Sequence, residues 1–233
     1  MTIPRGSLRV KIKTVLKAIL WADFFSRKSY SQEGEDLVVD RLLMGRKNGF
    51  YVDVGAHHPY RFSNTYFFYR KGWRGIAIDP LPGLKKLFRF RRPRDIFVGM
   101  GVSLAPSKLK YFLFNEPALN TFDADLALNR SKDKSYRLIR KEDIATDSLA
   151  SILKSVSCPN QIDLLSVDVE GFDLEVLQSN DWNNFIPEII IVECLKSDLS
   201  CLTKDPIYLY LVDRNYGMIA KTGHSVIFKR NDV

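Results

Sequence analysis

The stretch GFYVDVGAHHPYRFSNTYFFYRKGWRGIAIDP (49–80) carries the reading of the fold. It begins with GFYVDVG (49–55), a short β-prone run that ends in Asp53 and Gly55. SNTYFFYRKG (63–72) opens on a serine suited to an N-cap and closes on glycine, which predicts a helix. GIAIDP (75–80) is a second strand, halted by Pro80. A strand, a helix and a strand in so short a span imply a parallel pair, because parallel strands need a crossover between them.

The same alternation extends on both sides. EDLVVDRLLMG (35–45) has helical spacing and closes at Gly45. LPGLKKLFRF (81–90) is a second crossover, DIFVGMGV (95–102) a third strand and LKYFLFN (109–115) a further strand. The polar segment 129–142 is expected to be exposed. SLASILK (148–154) reads as a short helix, IDLLSVDVEG (162–171) as a strand ending in acids, and FDLEVLQS (172–179) as the helix after it. EIIIVEC (188–194) is a fifth strand of the parallel series, and the first part of DPIYLYLVDRNYG (205–217) is a helix. YGMIAK and HSVIFKR then make a hairpin around Thr222 and Gly223. Strands apolar on both faces, alternating with helices, predict an α/β doubly wound, mostly parallel sheet with a C-terminal antiparallel hairpin.

The 233 residues suit one α/β domain with appendages, expected at 30–233, with a separate element at 1–29. Hydrophobic residues at 45% and charged residues at 27% support a real core and exclude a disordered chain. Three cysteines, Cys158, Cys194 and Cys201, lack the CxxC spacing of a zinc site and argue for a reducing, cytoplasmic location. Residues 7–25, SLRVKIKTVLKAILWADFF, set Leu8, Ile12, Val15, Leu16, Ile19 and Leu20 at helical spacing with Arg9, Lys11, Lys13 and Lys17 between them. Such a basic amphipathic helix suits an anionic membrane surface at most peripherally; packing on the domain or on a twin subunit in a homodimer suits it too. The net charge of +8 attracts any anion and selects no partner.

In a doubly wound sheet, ligands collect at the carboxyl ends of the strands. Gly55 lets the chain turn close to a ligand where a Cβ would collide. The dinucleotide fingerprint G-x-G-x-x-G is absent, since Ala56, His57 and His58 follow the single glycine. A ligand without a pyrophosphate fits better. Asp79 stands where an acid accepts hydrogen bonds from both hydroxyls of a ribose, although with Pro80 behind it a plain helix cap fits as well. In SVDVEG (166–171), Asp168 and Glu170 can converge on one ligand, orient a substrate or take a proton from a hydroxyl. With Glu193 they also make an oxygen-rich set suited to Mg²⁺; alternatively Glu170 caps the next helix and Glu193 faces solvent. FNEPALNTF (114–122) crowds Asn115, Glu116, Asn120 and Thr121 between aromatics, either to bind a polyhydroxylated ligand or to make a turn at Pro117. Gln32 in SQEGED (31–36) contacts ligand or belongs to an incomplete capping box. His224 in the hairpin reads as a surface residue.

YSQEGEDLVV (30–39), the 49–80 stretch and IDLLSVDVEGFDLEVL (162–177) resemble the FkbM family of S-adenosylmethionine-dependent methyltransferases, with the similarity covering roughly residues 30 to 195. The resemblance implies a Rossmann-like class I methyltransferase fold and S-adenosylmethionine as cofactor. It implies that Asp53, Gly55 and Ala56 lie against the methionine part and that Asp79, beside Pro80, holds the ribose. It also implies that Gly101, Val102 and Ser103 flank the adenine. The family pattern often continues with Asn-x-Gly after the first loop; here His57, His58 and Pro59 stand instead, which leaves His57 or His58 to hold the methionine carboxylate. At the level of fold, metal-dependent O-methyltransferases place ligands after strands four and five, here Asp168 and Glu193.

The expected activity is O-methylation of a sugar or polyhydroxylated natural product, with Asp168 as first candidate for the base and His58 as second. A nucleotide-sugar oxidoreductase or epimerase using NAD would need the glycine-rich loop that is missing. A basic nucleic-acid-binding module draws support from RFRRPR (89–94), although a solvated face explains that cluster equally; no sequence-specific nucleic acid is expected as a partner.

Overall fold

The computed structural model describes residues 26–194 and 200–232. The amphipathic segment 7–25 therefore lies outside the described residues. In chain order the first half comprises α1 (Glu35–Leu42), β1 (Phe50–Val54), α2 (Tyr66–Arg70), β2 (Arg74–Ile78), α3 (Leu84–Arg91), β3 (Ile96–Val98), β4 (Gly101–Val102) and β5 (Ser107–Phe114). A 3₁₀ turn (Pro117–Leu119) leads to α4 (Ala124–Arg130), β6 (Leu138–Asp147), α5 (Leu149–Ser155) and β7 (Gln161–Val167). The remainder is α6 (Asp173–Gln178), β8 (Ile186–Glu193), α7 (Pro206–Val212), β9 (Tyr216–Lys221) and β10 (Ser225–Arg230).

The main sheet has seven strands in the order β3-β2-β1-β7-β8-β10-β9. The pairs among β3, β2, β1, β7 and β8 are parallel, and β10 runs antiparallel between β8 and β9. This is the doubly wound, Rossmann-like sheet with its antiparallel C-terminal hairpin. Side chains alternate across β1: Val52 and Val54 face a core with Leu165, Val167, Ile190 and Val192, backed by α5, α6 and α7. Tyr51 faces the other side, with Leu164, Ile189 and Ile191 against α1 and the Phe68–Trp73 segment. Both faces are covered, which is why the central strands read as nearly unbroken apolar runs. Among the described residues, no helix is long and apolar enough to cross a membrane.

The expected third strand at 95–102 is two strands. Ile96–Val98 joins the main sheet, whereas Gly101 and Val102 leave it and pair in parallel with Thr146 and Asp147 of β6. The departure depends on Gly101, where a Cβ would lie 2.6 Å from the Phe122 ring. The segment 129–142 is largely exposed, as expected, but it is not without regular structure. Its second part begins β6, which pairs antiparallel with β5 and closes a second sheet of order β4-β6-β5. Half of LIRKEDIATD is exposed, and the charged residues Arg140, Lys141 and Asp143 at those positions hide the strand pattern.

The cluster RFRRPR is not a free basic patch. Arg92 is fully buried: its guanidinium donates to Asp95 (2.6 Å), Thr65 Oγ1 (2.9 Å), Ser63 Oγ (3.3 Å) and the Pro59 carbonyl (3.3 Å). It lies against the rings of Tyr51, Tyr69 and Phe88. Thr65 Oγ1 passes the connection on to Asp53, at 2.5 Å. The Arg94 guanidinium stacks 3.8 Å from the Tyr69 ring but the residue is exposed, so Arg89, Arg91 and Arg94 are the outward charges of the cluster. Removing one partner of a buried, hydrogen-bonded ion pair costs about 3–5 kcal/mol, because the other charge is stranded. Arg92→Met is therefore expected to lower unfolding free energy by about that amount in urea denaturation. A loss below about 1 kcal/mol, the range of exposed pairs, would show that the network does not brace the sheet.

Candidate functional site

The strand ends of β1, β2 and β7 open into a cleft of about 780 Å³, counted to its open mouth. It lies where the strand order reverses, with β2 and β7 on either side of β1. Gly55 forms the floor at φ +82, and a Cβ there would sit 1.7 Å from the Asp168 carbonyl oxygen. The close neighbour that demands glycine is thus the end of β7. Hydrogen bonds from Gly55 N to Ile78 O (2.9 Å) and from Asp168 N to Val54 O (3.0 Å) pin all three strand ends together.

One wall is built by the turn after β2. Asp79 is buried, and its carboxylate accepts from the backbone N–H of His57 (2.7 Å) and of Leu81 (2.8 Å). Each oxygen keeps a lone pair for a further donor. Burial pushes the Asp79 carboxyl up to about 6, against those two hydrogen bonds. Pro80, Leu81, Met100, Gly101, Val102, Tyr111 and Phe122 continue this wall as an apolar and aromatic surface. The Tyr111 and Phe122 rings lie 4.6 Å apart.

The opposite side carries the acids. Asp168 and Glu170 line the cleft, and Glu193 sits behind them at the end of β8. One carboxylate oxygen from each comes within 4.8 Å of the others. At that separation two full charges repel by about 3–4 kcal/mol at an effective dielectric constant of about 20. Burial and mutual repulsion push the Asp168 carboxyl well up and Glu193 up to about 11. Arg130 pairs with Glu170, and Glu193 Oε2 has no hydrogen-bond partner. Asp173, not Glu170, ties down the turn: it accepts from Val169 N and Gly171 N, both at 3.1 Å. Glu170 itself stands at φ +58, as do His57 (+47) and Phe62 (+55), so three non-glycine residues in the left-handed region line one cleft. Strain of that kind concentrates at functional sites.

Gln32 also lines the cleft, held there by a tie between distant parts of the chain. Glu33 accepts from the His224 backbone (3.0 Å) and meets its imidazole Nδ1 (2.5 Å), while Thr222 Oγ1 donates to Glu35 (3.0 Å). His224 is thus a partner of the Gln32 loop as well as a surface residue.

Of the residues singled out in the sequence, Gln32, Gly55, His57, Asp79, Pro80, Gly101, Val102, Asn120, Asp168 and Glu170 line the cleft. The others do different work. Asp53 lies beneath the floor in the Arg92 network, and Ala56 packs against α3. His58 Nδ1 accepts from Tyr60 N and Arg61 N, which shapes its own loop. Ser103 bonds Thr146 and the Ala105 carbonyl, and Asn115 closes a turn with Ser135 and Arg137. Glu116 pairs with Arg61, and Thr121 donates to the Glu170 carbonyl at 2.7 Å. Tyr111, Phe122 and Phe62 escaped the sequence reading. Nothing in the local pattern marks them: Tyr111 stands out of step with the alternating Phe112 and Phe114 of LKYFLFN.

A family model described as the methyltransferase FkbM domain matches residues 53–217. No curated protein matches the sequence at a significant level. Among solved structures, a methyltransferase from Geobacter sulfurreducens is 12% identical with a TM-score of 0.45, over 98% of this chain and 90% of its own. The 1,6-didemethyltoxoflavin-N1-methyltransferase of Burkholderia thailandensis, determined with 1,6-didemethyltoxoflavin and S-adenosylhomocysteine bound, is 11% identical with a TM-score of 0.44, over 99% and 92%. A TehB-like SAM-dependent methyltransferase from Corynebacterium glutamicum is 9% identical with a TM-score of 0.44, over 96% and 99%.

His57 yields a prediction about pH. Burial pushes its imidazole down to about 4, with Arg61 and His58 adding to the effect, and Nε2 is buried without a partner. The side chain is therefore neutral at pH 7 and unsuited to hold a carboxylate by charge. The unfolded chain takes up this proton near pH 6.5 and the folded one only near 4, so stability contributed by the neutral form is lost as pH falls through that window. Between pH 7 and 4.5, wild type should lose up to about 2–3 kcal/mol more than His57→Asn, whose side chain tolerates the left-handed backbone. Equal losses in urea titrations of the two proteins would mean that His57 charges normally in the fold.

Proposed function

The chain belongs to the FkbM methyltransferase family, and on that premise we propose that it transfers the methyl group of S-adenosylmethionine to a hydroxyl of a sugar or another polyhydroxylated acceptor. The observation that carries this reading is the pairing, in one cleft, of a buried carboxylate with open lone pairs on one side and clustered carboxylates on the other.

The residues present fit the cofactor. Asp79 would accept from the ribose hydroxyls. Leu81, Met100, Val102 and Phe122 offer an apolar wall to the adenine, and the glycine floor leaves room for the methionine part. When bound, S-adenosylmethionine supplies an activated methyl group and leaves as the neutral thioether.

The chain's own task is then to orient the acceptor, exclude water and take a proton. Asp168 faces the cleft with no protein donor on its carboxylate among the described residues, which leaves it open to a hydroxyl. Asn120 lines the same cleft and offers amide donors, since its oxygen is occupied by Phe114 N at 2.8 Å. Polar groups of this kind favour a polyhydroxylated acceptor. Positioning against the methyl group supplies most of the acceleration in such a reaction.

Calorimetry should record S-adenosylmethionine or S-adenosylhomocysteine binding, with NAD undetectable; NAD binding alone would replace this reading with an oxidoreductase. Asp79→Ala should weaken cofactor binding by about 1–3 kcal/mol, the cost of stranding hydrogen-bonding groups. Asp168→Asn should keep that affinity while methyl transfer to a panel of sugars falls by about 10²–10⁴-fold, the worth of a positioned acid or base. A fully active Asp168→Asn protein would reduce Asp168 to a structural acid.

A further inference from the structure

Two kinds of buried acid occur in this molecule. Asp53, Asp79, Asp95 and Asp173 each accept hydrogen bonds from neighbouring backbone or side-chain donors. The trio Asp168, Glu170 and Glu193 differs. Among the described residues, the one cation in an ion pair with it is Arg130, which is anchored on the Leu119 carbonyl at 2.7 Å and pairs with Glu170. Glu193 is 8% exposed, its Oε2 carries no partner, and one of its carboxylate oxygens lies within 4.8 Å of oxygens of the other two. A buried acceptor left empty is costly, and polar groups in native cores are nearly always satisfied. A cation among the three oxygens would supply that partner.

We propose that Asp168, Glu170 and Glu193 together bind a divalent cation of the hard, oxygen-preferring class. Each residue offers one carboxylate oxygen, and no histidine or thiol belongs to the group, which selects against zinc and copper. Three oxygens at most 4.8 Å apart lie at most about 2.8 Å from a common centre, so a closure of a few tenths of an ångström brings them to the roughly 2.3–2.6 Å bonds of Ca²⁺. Mg²⁺, at about 2.0–2.1 Å, requires the side chains to close by about half an ångström more. Asp168 and Glu170 line the cleft, so the remaining coordination positions face it. This deepens the function proposed above and rests on it for its role. A hydroxyl entering the ion's shell is more acidic, and the second oxygen of Asp168, not used by the ion, takes the proton.

The test uses the full chain without added cofactor and Mn²⁺ as a paramagnetic probe. Electron paramagnetic resonance should show saturable binding of one Mn²⁺ per chain, and Mn²⁺ should raise the melting temperature until a chelator is added. Asp168→Asn and Glu193→Gln, which keep the side-chain shapes, should each weaken binding at least tenfold. Asp143→Asn, exposed on β6, should leave binding unchanged. Displacement of Mn²⁺ by Mg²⁺ or by Ca²⁺ decides which ion the site prefers. Absence of saturable binding to the wild-type protein overturns the site, whatever the variants do, and so does equal affinity in wild type and both folded variants. S-adenosylmethionine binding is measured on the same samples. Cofactor binding without Mn²⁺ binding removes the cation and leaves the methyltransferase reading standing; Mn²⁺ binding without cofactor binding does the reverse.

Discussion

The contact between Gly55 and the Asp168 carbonyl is the constraint from which the rest of the site follows. The chain leaving β1 passes the backbone at the end of β7 at a distance that admits no Cβ. The loops after β1 and β7 then diverge, and the gap between them is the cleft. A larger residue at position 55 would push the end of β7 outward. Asp168, Val169 and Glu170 would move with it, and the acids would lose their register with Glu193.

A division of labour among charged groups accompanies this geometry. Below the floor, Arg92 gathers Asp95, Thr65 and, through Thr65, Asp53 into a closed network with its donors and acceptors matched. Above it, Asp168 and Glu193 are left short of partners. A folded chain tolerates such a shortage only where something else offsets it. The unmatched acids therefore mark where a ligand belongs, and the matched ones mark what holds the frame. Burial alone separates them poorly, since Asp53 and Glu193 are both nearly inaccessible; hydrogen-bond completeness separates them well.

Much of this was legible in the sequence. The βαβ unit at 49–80 announces the parallel sheet through apolar runs punctuated by Gly and Pro, and the rule that ligands gather at strand ends led directly to Gly55, Asp79, Asp168 and Glu170. What stayed hidden has specific causes. β6 is a strand with mostly solvated positions, so its charges resemble those of a loop. Arg92 is a cation in a basic run, and only the spatial arrival of Asp95 and Thr65 makes it internal. Asp53 and Asp79 look alike as acids at strand ends; Asp53 sits inside β1 and turns under the sheet, while Asp79 follows β2 and is free to face the cleft. Phe122 reaches the site because Gly101 makes room for its ring, a relation between residues that no local pattern encodes.

The strand order has a consequence for how the protein comes into being. β10 is the last strand along the chain, yet it lies inside the sheet between β8 and β9. The bond between Glu33 and His224 spans 191 residues, and it steadies the loop that carries Gln32 to the cleft. During synthesis the glycine floor and the Asp79 wall emerge early, while the Gln32 side must wait for the hairpin to leave the ribosome and slot into place. The Gln32 side of the cleft thus takes its place only once the hairpin has docked.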